Sequence, residues 1–187
     1  MNAAILKAAA YILHTGVRVK RFVRREDGSA AIEAALLFPI LMVILMGMVD
    51  IGDATLTNQK VISGSQLAAD LLARDSTAST SDIDNAVEAA RLALMPYPTT
   101  SFGIDIASIQ FDEDGAPVVL WRVTRNMATN DVAVQSSEAI GAPGEGVLIV
   151  TVQYQFEPTF SGHIIGPFTM QEVAFVRGRK SPTVTRV

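Results

Sequence analysis

No cysteine occurs among the 187 residues, which excludes a disulfide framework, a thiolate metal cluster and a thiol nucleophile. Histidine is nearly missing as well. With only His14 and His163 present, a multi-histidine metal site within the chain is ruled out. Acid is absent from residues 1–25, which hold Lys7, Arg18, Lys20, Arg21, Arg24 and Arg25. The rest of the chain holds nine bases and nineteen acids. A basic head of charge +6 on an acidic body of charge −10 does not suit a nucleic-acid binder, whose bases must cover a folded face. Charged residues make up 18% and hydrophobic residues 49%, too apolar for disorder. The length admits one modest domain and excludes a large multi-domain enzyme.

Residues 29–49 (S-A-A-I-E-A-A-L-L-F-P-I-L-M-V-I-L-M-G-M-V) contain a single ionisable group, Glu33. About twenty apolar residues in a helix cross the roughly 30 Å of a bilayer core. Arg21, Arg24 and Arg25 precede the run, and Asp50 and Asp53 follow it. The positive-inside rule therefore puts residues 1–28 in the cytoplasm as a leader and the body outside. No A-x-A-like site follows the run, so it reads as an anchor in membrane lipid, not as a secretory signal peptide.

A helical period continues through Ile51, Thr55, Asn58, Ile62, Ser65, Ala69 and Leu72, predicting one helix over residues 29–73, about 68 Å long. Ser63, Gly64 and Ser65 are its expected weak point. Residues 74–81 read as a Ser/Thr linker. Residues 82–187 form the expected extracytoplasmic domain. There Ser81 or Asp82 caps a second helix bearing Ile83, Val87, Ala90 and Leu94, with Pro96 just past its end. Residues 104–111 and 118–125 flank an acidic Gly/Pro turn and predict an antiparallel hairpin. Residues 126–146 read as an exposed loop. Residues 147–156, with Leu148, Val150, Val152, Tyr154 and Phe156 on one face, and residues 168–177 complete a sheet of about four strands. The expected class is α+β.

Few residues invite chemistry. Asp75, Thr77 and Ser79 follow a helix and lack the buried strand that a D-x-S/T-x-S metal loop needs, so they read as linker. The Asp112, Glu113, Asp114 run lacks EF-hand spacing and reads as a solvated turn. His163 has no triad spacing around it. No cofactor and no enzymatic activity is expected. Glu33 stands apart, because a carboxylate in a membrane span costs something like 2.5–3.5 kcal/mol at the centre and less near the edge. It needs a partner. A cut between Gly28 and Ser29 would set a new amine one helical turn before it. Pro39 removes a helix hydrogen bond to Ala35, and Ala30, Ala31, Ala34 and Ala35 permit close helix approach.

The basic K-R-F-V-R-R-E-D, then Gly28, then S-A-A-I-E resembles a class III signal of type IV prepilins. The longer string from Gly28 to Gly52, with Ser29, Glu33, Pro39, Gly47 and D-I-G at its end, is similar to the N-terminal segment of TadE-like proteins of the tight-adherence (Tad, Flp-type) pilus system. The resemblance covers roughly residues 20–60. It implies a pilin-like fold and cleavage after Gly28 by an aspartic prepilin peptidase at the inner face of a bacterial inner membrane. It also implies work as a minor pilin or pseudopilin alongside other Tad subunits and the inner-membrane assembly platform. The alternative expectation is an unprocessed, membrane-tethered binding module for a ligand or the cell envelope.

Overall fold

The computed structural model describes residues 27–187. The basic leader, with the expected topology residues Arg21, Arg24 and Arg25, lies outside the described residues. The chain divides into two units, residues 1–47 and residues 48–187. What is described of the first is helix alone: α1, Asp27–Leu72, begins there and passes Pro39 without interruption.

In the second unit, α1 is followed by a short strand β1 (Thr77–Ala78), helix α2 (Thr80–Ala93), strands β2 (Gly103–Phe111) and β3 (Pro117–Arg125), and helix α3 (Asp131–Ser136). A 3-10 turn over Ser137–Ile140 leads to β4 (Gly146–Phe156), the one-turn helix α4 (Gly162–Ile165), β5 (Phe168–Val176) and β6 (Thr185–Arg186). The class is α+β. The main sheet has the order β3-β2-β4-β5 and every neighbouring pair is antiparallel.

The sheet's two inner strands are buried on both faces, which explains their unbroken apolar runs. Ile104 and Ile106 of β2 and Leu148, Val150, Val152, Tyr154 and Phe156 of β4 share one cluster with α1 and α2. The clean alternation of β4 in the sequence thus marks the helix-facing side. Ala107, Ile109 and Phe111 and the alternate β4 residues Val147 and Ile149 form a second cluster on the other face, covered by Ala133 and Val134 of α3. Residues 126–146 are therefore not simply an exposed loop. The short apolar stretch V-A-V after Asp131 was too brief to give a helical period, yet it closes the back of the sheet.

Three further expectations shift. The buried stripe of α1 in this unit runs through Thr57, Val61, Ser65, Ala68, Ala69 and Leu72, while Ile51 is 68% exposed. Ser63, Gly64 and Ser65 are helical throughout. A Cβ on Gly64 would stand 3.1 Å from the Ala90 carbonyl oxygen, so the missing side chain lets α1 and α2 approach closely here. The cap of α2 is Ser79, not Ser81 or Asp82. Its side chain accepts from the Asp82 backbone N–H at 3.2 Å, and the Asp82 carboxylate accepts from the Ser79 N–H at 2.9 Å, a reciprocal capping box.

Residues 74–81 are also held. β1 pairs in parallel with β6, and the Arg179 N–H donates to the Ala73 carbonyl at 2.9 Å. The carbonyl of buried Val184 accepts from Ser108 Oγ and from Trp121 Nε1, both at 2.7 Å. The C-terminal tail is thereby strapped to the strands and to the start of α2.

Candidate functional site

Every residue from 28 to 46 is exposed. Leu36, Phe38, Leu41 and Val43 each leave 59–69% of their surface uncovered. Each such side chain forgoes roughly 1.5–3 kcal/mol by remaining in water, so this surface demands an apolar environment. The helix is long and apolar enough to cross a membrane, and none of its most apolar window is buried.

Glu33 is the one charge on that surface, and Ser29 Oγ donates to its Oε1 at 3.2 Å. The helix thus sets positions 29 and 33 one above the other, as i and i+4 spacing requires. Gly28 and Gly47 have no heavy atom within 4 Å of a built Cβ. Neither is a packing glycine among the described residues. Ser29 and Glu33 stand one turn apart with Gly28 just before them, while Pro39 and Gly47 lie further along the same helix.

Asp50, two residues into the second unit, carries a feature that the sequence did not reveal. Its side chain is buried, at 4% exposure, and its carboxylate accepts backbone hydrogen bonds from Thr159 at 3.0 Å, Phe160 at 3.1 Å and Ser161 at 2.6 Å. Ser161 Oγ adds a fourth donor at 2.7 Å. Successive backbone N–H groups make an anion-binding concavity, here filled by a side chain of the same fold. The available signal was a lone acid placed directly after a long apolar run.

A second buried carboxylate fixes the back of the sheet. Asp105 accepts from Arg122 Nε at 2.9 Å and Nη2 at 2.5 Å, from Thr124 Oγ1 at 2.9 Å and from the Asn130 N–H at 2.9 Å. Burial pushes its carboxyl up, but the Arg122, Asn130 and Thr124 hydrogen bonds and the guanidinium charge outweigh this and hold it below the ordinary range. Arg122 also meets Asp131 at 2.5 Å. The network attaches α3 to β2 and β3.

Beside the Asp50 clamp, Asp53, Tyr97, Tyr154, Glu157 and Thr159 line an open cavity of about 310 Å³. Burial, then the charge of Glu157, pushes the Tyr154 phenol up, so it stays a neutral donor. Among the described residues no group of three or more His, Asp or Glu could hold a metal ion. His163 lies in α4, and Asp112 folds its own turn by accepting from the N–H groups of Asp114 and Ala116.

Residues 28–70 match the family model described as TadE-like protein. Over this helix the chain is similar to TadE-like proteins. The TadE-like match covers under a quarter of the chain, and within it stand Gly28, Ser29, Glu33, Pro39, Gly47 and Asp50. No curated protein and no solved structure matches the chain. The exposed apolar helix and the Asp50 acceptor both fall inside the TadE-like segment. The four-stranded sheet and the Asp105 network lie beyond it.

Proposed function

We propose that this chain is a TadE-like minor pilin or pseudopilin that takes part in assembling a Tad (Flp-type) pilus, with a structural and not a catalytic role. Residues 29–49 cross the bacterial inner membrane once, with residues 1–28 cytoplasmic and the α+β unit periplasmic. Prepilin peptidase hydrolyses the Gly28–Ser29 peptide bond. Water adds across that bond, leaving a carboxylate on Gly28 and an amine on Ser29. The observation that carries the reading is the exposed apolar stretch of α1 over residues 28–46, whose one carboxylate, Glu33, sits a single turn from Ser29, inside the segment that matches the family model.

The chemistry follows from the cost of that carboxylate. An ionised acid within lipid has to be neutralised, and the Ser29 amine freed by cleavage supplies the opposite charge at hydrogen-bonding range, in the same chain or in a neighbouring one. Ala30, Ala31, Ala34 and Ala35 leave the helix slim on that stretch, so neighbouring helices pack closely. The periplasmic unit then selects among the other Tad subunits and the assembly platform.

The test is Glu33→Ala expressed in the native host. The variant is expected to insert in the membrane at the normal level and to lose co-purification with the other Tad subunits, together with piliation. Normal piliation and normal complex recovery would refute the pairing.

A further inference from the structure

After Glu157, the β4–β5 connection and the start of β5, residues 158–171, contain no Asp, Glu, Lys or Arg. Within it Phe160, Ile164 and Ile165 leave 49%, 80% and 65% of their surface uncovered. Solitary exposed apolar residues are ordinary, but three on one short loop form a patch that calls for a partner. Its place in the fold says which. The Thr159, Phe160 and Ser161 backbone donates to Asp50, and Asp50 directly follows Val49, the last residue of the apolar run. In the same unit Met48, Val49 and Ile51 are likewise exposed. The loop is thus clamped to the first residue after the apolar run.

We infer that the β4–β5 loop is a second membrane contact, through which Phe160, Ile164 and Ile165 enter the interfacial zone of the bilayer that residues 29–49 cross. The inference rests on that spanning reading. Exposed apolar side chains on a short amphipathic element lodge at the headgroup and acyl boundary. Asp53 and Glu157 are nearby charges and the loop has no Lys or Arg, His163 being its one titratable base, so the attraction is apolar and needs no anionic lipid. Attachment at two points restrains how the periplasmic unit turns about its anchor, which orients its remaining surface for assembly.

Because the chain has no native cysteine, single cysteines carrying an environment-sensitive fluorophore report each position separately. The full-length protein is placed in phosphatidylcholine nanodiscs with or without doxyl-labelled lipid. A label at Ile164→Cys is expected to shift to the blue and to lose its fluorescence to shallow doxyl groups as fully as one at Val49→Cys. A label at Asp114→Cys, in the exposed hairpin turn, stays water-like and unquenched. Water-like emission at position 164 while Leu41→Cys is quenched overturns the loop contact and leaves the span intact. A blue-shifted but unquenched label at 164 also overturns it, by assigning the surface to protein, such as a second copy of this chain. Loss of quenching at both Leu41 and Ile164 overturns the spanning reading together with the loop.

Discussion

Asp50 and Ser161, 111 residues apart in sequence, are joined twice: one carboxylate oxygen accepts from the Ser161 backbone N–H at 2.6 Å and from its hydroxyl at 2.7 Å. The pair ties the exit of the apolar helix to the far end of the sheet.

Replacing Asp50 by Asn keeps the shape but removes the charge and turns an amide donor toward a set of backbone donors. A buried acceptor site left with a donor is destabilising. Asp50→Asn is expected to lower the thermal midpoint and to speed amide hydrogen exchange at residues 159–161 more than elsewhere. Ser161→Ala, which removes one donor of four, should do so to a smaller degree. Unchanged exchange in the loop of Asp50→Asn would contradict the clamp.

The Asp105–Arg122 pair gives a sharper number. Asp105 is 3% exposed, so Arg122→Met strands a buried carboxylate, and breaking such a pair costs about 3 kcal/mol. Trp121, the chain's one tryptophan, packs against the core cluster and reports unfolding. The double variant Asp105→Asn with Arg122→Met should lose less than the two single losses added together, because the uncompensated charge is gone.

The same pair sets a pH dependence. Asp105 is held below its ordinary value in the fold, so its ionised form stabilises the protein fully above the unfolded carboxyl pKa of about 3.9. That contribution is lost as the pH falls through the lower folded value. Denaturant melts of the wild type and Asp105→Asn should therefore differ by a constant amount at neutral pH and converge only in acid. A gap that closes near neutrality would contradict this.

At Gly64 the contact with the Ala90 carbonyl leaves no room for a branched side chain. Gly64→Leu should force α1 and α2 apart and destabilise by about 1–3 kcal/mol, read in the same tryptophan melts. Ser79→Ala, which deletes one arm of the capping box, is expected to lose about 1 kcal/mol.

The elements with strong local signals were legible in the sequence. Residues 29–49 announce their helix by length and composition, and β4 declares its core face through Leu148, Val150, Val152, Tyr154 and Phe156. The hairpin of β2 and β3 follows from the turn that Asp112 begins. What escaped notice depends on distant partners. Asp50 reads as an ordinary juxtamembrane acid until Ser161 is beside it, and Asp105 looks like a polar interruption in β2 until Arg122 and Asn130 converge on it. Gly64 reads as a weak point because helix propensity alone disfavours it, whereas its use is steric. The α3 segment is too short for its period to show, and β1 has no pattern apart from the tail it pairs with.

On the proposed reading, residues 29–49 anchor a TadE-like pilus-assembly subunit made mature by cleavage after Gly28. The most direct test is the N-terminal sequence and intact mass of the protein from native membranes, with and without the cognate prepilin peptidase. A chain beginning at Ser29 only when the peptidase is present is the predicted result. An intact leader in both strains would contradict the claim and leave an unprocessed, membrane-tethered module.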